Sequence, residues 1–159
     1  MNAQAAMLAE LHRLRHRLPE VTGAVLGDVE GILVASDLPG ANAHHIAALA
    51  AAGMGIASRF AQAVGHGPLQ ESVIRSSGGT VVTYPAGYAL LTVVTYPDVD
   101  LAKVHPLARA VAHRLAELWE PPRDTAACGP TPTSADPHAP LAVRTPMATL
   151  PRELWTDGY

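Results

Sequence analysis

Residues 44–62 read HHIAALAAAGMGIASRFAQ, and no side chain between His45 and Arg59 carries a full charge. A helix that faces water carries polar residues over its wet face, so a segment this bare has to be covered on more than one side. The near-apolar run Ile46 to Ser58 is about 13 residues, short of the roughly 20 that span hydrocarbon. A transmembrane helix is therefore not expected, and the cover has to be protein.

Projected at about 100° per residue, Ile46, Leu49, Gly53, Ile56, Phe60 and Val64 collect on one side of a helix running from Asn42, its N-cap, to Val64. That side carries the bulk and is expected to lie on a sheet. The opposite side collects His44, Ala48, Ala51, Ala52, Gly55, Ser58, Arg59 and Gln62. Small residues let a second helix backbone come close, so this side is expected to pair with its counterpart in a homodimer. An uncovered face of about 15 Å over ten residues would invite aggregation. Arg59, the one full charge inside the helix, is suited to a partner's carboxylate or backbone carbonyls. Arg75, on a later strand, is expected to serve the same surface or to guard an edge.

The rest of the chain supplies the sheet. Met7, Leu8, Leu11, Leu14 and Leu18 follow helical spacing over Asn2–Leu18 until Pro19, with His12, Arg13, His16 and Arg17 on the wet side. Val21–Gly27 and Gly31–Ser36 form a hairpin around the polar turn DVEG. GHGP closes the long helix, and Glu71–Ser76, Thr80–Tyr84 and Tyr88–Tyr96 follow as an antiparallel meander with glycine turns. Val104, Leu107, Ala108, Val111, Leu115 and Leu118 return to helical spacing, although Pro106 leaves the start of that helix open. The order αββαβββα predicts the α/β (α+β) class.

At 159 residues the chain holds one sizeable core. Eight of its 14 prolines fall after Trp119, so 1–119 reads as the domain and 120–159 as a mostly disordered tail. A net charge of -3 offers no case for nucleic acid. The lone Cys128 and the absence of a signal-like leader predict a cytoplasmic protein.

The same element order, the LPEVTGAVLGDVEGILVAS hairpin before a long small-residue helix, and the VVTYPAGYALLTVVTY hairpin before a terminal helix resemble the roadblock/dynein light chain family. The resemblance covers about residues 2–119. It implies a five-stranded antiparallel sheet, roadblock/profilin-like, with the long helix on one face and both terminal helices on the other. It further implies dimerisation through that helix and the third strand, which adds Val73 to the expected interface. Family members bind small Ras-like GTPases or act as scaffolds, and some speed GTP hydrolysis without donating a catalytic side chain. The Pro-rich tail departs from the family pattern.

Chemistry of the chain's own is not expected. There is no phosphate-binding G-x-x-x-x-G-K-[ST] loop, and the His12/His16 pair lacks supporting ligands. Ser36, Asp37 and His44 are not framed by a nucleophile elbow. No cofactor or metal is therefore expected. The expected function is a non-enzymatic homodimeric adaptor for a small Ras-like GTPase or another signalling protein, with Arg59 and the tail's Trp155 as partner contacts. The alternatives are a small-molecule sensor of profilin/PAS-like type and a purely structural scaffold.

Overall fold

The structure, a computed structural model, describes residues 2–119. Helix α1 spans Ala3–Arg17, opened by Asn2, whose side-chain oxygen accepts from the Gln4 N–H. Strands β1 (Val21–Asp28) and β2 (Leu33–Ser36) form the first hairpin. Its turn is longer than the sequence predicts. The Asp28 carboxylate accepts from the N–H groups of Glu30 and Ile32 at 2.9 and 2.8 Å, and Gly31 sits at φ +90°, so β2 begins only at Leu33.

Helix α2 covers Ala43–Ala63, with the Asn42 side chain accepting from the His45 N–H as anticipated. Strands β3 (Ser72–Ser76), β4 (Gly79–Ala86) and β5 (Ala89–Thr95) form the meander. Helix α3 spans Leu101–Leu118 from an Asp100 cap that accepts from the Ala102 N–H. Pro106 lies inside it and forgoes one helical hydrogen bond without ending the helix.

The sheet is antiparallel in the order β2-β1-β5-β4-β3. Successive side chains point to opposite faces of a strand, which divides the interior in two. Val82, Tyr84, Leu91 and Val93 face α1 and α3, where Met7, Leu11, Leu14, Val104, Ala108, Val111 and Leu115 complete the main core. The alternate residues, among them Val81, Thr83 and Thr92, lie beneath α2 in a thinner layer with Ala47 and Met54. Both edge strands, β2 and β3, keep one unpaired side.

By length and composition α2, at 21 residues, also passes for a membrane span, which the 13-residue count understated. It touches the sheet through Ala47 and Met54. The expected tail, with Cys128 and Trp155, lies outside the described residues.

Candidate functional site

The seat of α2 differs from the one its bulk predicts. Only Ala47 and Met54 are buried in the helix. Leu49, Ile56, Phe60 and Val64, expected against the sheet, are 55%, 60%, 70% and 61% exposed. The cause lies in two glycines of the hairpin. A Cβ at Gly27 would stand 2.9 Å from the Ala47 Cβ, and one at Gly31 would stand 2.8 Å from the Ala48 Cα. Helix and sheet approach so closely there that only alanine fits between them, and the large side chains are left to the outside. Ala47, Ala48 and Ala51 thus serve first the contact within the chain.

The ten residues expected at a dimer contact are accordingly split. Ala48 and Ala51 lie against Gly31, the latter half-buried. Ala51, Gly55, Ser58 and Gln62 line a groove of about 380 Å³, closed on its other side by Val29, Pro85 and Leu90 among others. His44, Ala52 and Arg59 are exposed on the outer surface of the helix, and Val73 and Arg75 are exposed on the edge strand.

The surface the sequence reasoning missed is the apolar one. Leu49, Ile56, Phe60 and Val64 stand out from α2, and Ile74 from β3 on the same face at 59% exposure, while Val73, paired with Val82, lies on the other face of that strand at 40%. A narrow groove of about 150 Å³ joins helix and strand, with Leu49, Gly53, Met54, Ile74 and Val81 in its walls. Beneath it Thr83 and Thr92, paired across β4 and β5, share a hydrogen bond at 3.2 Å. Several large aliphatic side chains and a phenylalanine, bare beside an unpaired strand edge, are what single soluble domains generally avoid.

A polar cluster on the other face of the sheet ties down the start of β3. The Tyr84 hydroxyl and His105 Nδ1 are 2.8 Å apart, with the rings edge to face. His105 Nδ1 lies 3.7 Å from Glu71 Oε2, and Arg109 donates to that same oxygen from both Nε and a terminal nitrogen, at 3.1 and 2.6 Å. Burial, reinforced by the Glu71 carboxylate, pushes the Tyr84 phenol above the usual tyrosine range. The hydrogen bond to Glu71, followed by its charge, raises the Arg109 guanidinium. Glu71 directly precedes β3, so the cluster anchors the edge strand to α3. Its members are scattered along the chain, and no local motif announces them.

Of the residues weighed for chemistry, Asp37 is occupied by Arg15, which donates to its Oδ1 at 2.8 Å, and His12 Nε2 stands 3.5 Å from the same atom.

A five-stranded antiparallel sheet in this strand order, carrying one long helix on one face and two terminal helices on the other, defines the class of domain. The Roadblock/LC7 domain profile matches residues 7–95, and the chain belongs to that family. It is 28% identical over 100 residues to an uncharacterized protein of Methanocaldococcus jannaschii, a match that covers 62% of this chain and 88% of that one. Among solved structures it is similar to a Roadblock/LC7 domain from Streptomyces avermitilis, at TM-score 0.65 and 21% identity over 69% of this chain and 94% of the other. It is likewise similar to the gliding protein mglB of Thermus thermophilus, at TM-score 0.66 and 21% identity over 74% and 91%. At these identities the structural likeness speaks for the fold.

Proposed function

We propose that the protein is a non-enzymatic homodimeric adaptor or regulator. In this reading two copies cover each other's α2 and β3, and the paired helices form a platform for a small Ras-like GTPase or another signalling partner in the cytoplasm. The observation that carries it is the bare apolar surface of Leu49, Ile56, Phe60, Val64 and Ile74. Fully burying a large apolar side chain is worth about 1.5–3 kcal/mol. Five such residues from each of two copies offer enough to meet an association cost of roughly 4–15 kcal/mol.

The family supports the GTPase as partner, since roadblock domains as a class work with such switches or as scaffolds. Any effect on GTP hydrolysis would then come from holding the GTPase's mobile loops in a competent arrangement, a shift in a population it already samples. In this reading Arg59, which is exposed on α2, would meet a partner carboxylate.

The test is affinity capture from native lysate on the purified protein, run in parallel with GDP and with a non-hydrolysable GTP analogue. A Ras-like GTPase enriched in one nucleotide state supports the regulator. The same non-GTPase partners in both arms would replace it with a scaffold.

A further inference from the structure

The basic stripe of α1 has no part in this reading, and it borders a depression. Between α1 and α3, on the side of the sheet away from α2, Arg13, Arg17 and Arg114 rim a hollow of about 190 Å³, with Ala110 in its wall and Leu14, Leu107 and Val111 in its floor. Among the described residues one carboxylate is paired with this rim, and it is committed. Glu10, only 8% exposed at its side chain, accepts from Arg114 Nε at 2.9 Å and from Arg13 through its other oxygen. Arg13 and Arg114 stay 68% and 44% exposed at the rim. The single buried charge therefore fixes two guanidiniums in place and neutralises only one of them, and Arg17, exposed at the far end, adds a further cation.

We infer that this groove docks an acidic peptide segment of a partner protein that carries a large apolar side chain between its carboxylates. The geometry asks for both halves of that description. Guanidiniums held in a fixed orientation bind carboxylates bidentately and lose little freedom in doing so. The hollow between them has an aliphatic floor and room for one large aliphatic or aromatic side chain. A flat anionic membrane would meet the arginine tips and leave the hollow unfilled. The groove lies across the sheet from the bare α2 surface, so a segment bound here does not compete with pairing of that helix, and the inference stands apart from the dimer.

The test is fluorescence anisotropy on the full chain with a fluorescein-labelled peptide EEDLEEFLEDEE. The control peptide is EEDSEESSEDEE, which keeps the acids and loses the apolar anchors. The first peptide is expected to bind, and the control to bind about tenfold more weakly or worse. The double variant Arg17→Glu with Ala110→Glu reverses the rim without touching Glu10 and should weaken binding by about tenfold or more. Ala110→Trp fills the hollow and leaves every charge in place, and it should do the same, while Arg75→Glu on the edge strand β3, outside the groove, should change nothing. Equal binding of both peptides, binding unchanged by the Ala110 variants, or co-sedimentation with phosphatidylserine vesicles without peptide binding would each overturn the inference.

Discussion

Gly31→Ala and Gly55→Ala are the same chemical change at the two ends of one argument, and they should act with opposite sign. At Gly31 the backbone is at φ +90°, and the added Cβ would stand 2.8 Å from the Ala48 Cα and 3.4 Å from the Ala51 Cβ. The backbone strain costs about 1–3 kcal/mol and the overpacking about 1–3 kcal/mol more. The sum, roughly 2–6 kcal/mol, is a large part of a typical folding free energy of about 5–15 kcal/mol. At about 3–5 °C per kcal/mol for a domain of this size, Tm should fall by roughly 6 °C or considerably more. At Gly55, where a Cβ meets nothing within 4 Å, alanine in a helix interior should add about 0.5–1 kcal/mol. Both are measured by thermal circular dichroism and urea unfolding, in an Ile56→Asp background so that helix pairing does not enter. A Gly31→Ala variant within about 0.5 kcal/mol of its parent, below the smallest of the costs above, would refute the close seating of α2 on the hairpin.

Phe60, 70% exposed in the single chain, should tolerate aspartate in the monomer. Two copies of Phe60→Asp lose about 1.5–3 kcal/mol of burial each, so the dimer dissociation constant should rise by about a hundredfold or more in sedimentation velocity. An unchanged constant would move the contact elsewhere. Tyr84→Phe removes the hydrogen bond to His105 and should cost about 1 kcal/mol near neutral pH in urea unfolding. The phenol is raised in the folded state, so its contribution is whole below the unfolded tyrosine value of about 10 and is lost as pH climbs above it. The parent should therefore lose stability on the alkaline side more steeply than Tyr84→Phe, and parallel curves would contradict the assignment.

Local chemistry was legible wherever it is contained in a few neighbouring residues. Asn42 before α2, DVEG between β1 and β2, and the 3.6-residue spacing of Met7, Leu11 and Leu14 each name their own structure. Periodicity misassigned the faces of α2 because it equates bulk with burial. Here Gly27 and Gly31 leave no space beneath the first turns of the helix, where alanines take the inner position, and of the larger side chains only Met54 is buried. Those glycines were visible in the sequence, but their position under α2 depends on how the hairpin and helix meet. Tyr84, His105, Glu71 and Arg109 converge from three separate segments, a juxtaposition that only the fold creates. The groove between α1 and α3 was half legible, since the basic stripe was evident and the hollow it borders was not.

The central claim is that a second copy covers the apolar surface of α2 and β3. Sedimentation equilibrium of the full chain over a wide concentration range tests it most directly. The account predicts a mass of twice the chain that falls toward the single-chain value only on strong dilution, and a single-chain mass at all concentrations for Ile56→Asp. A parent that stays at the single-chain mass throughout would contradict it.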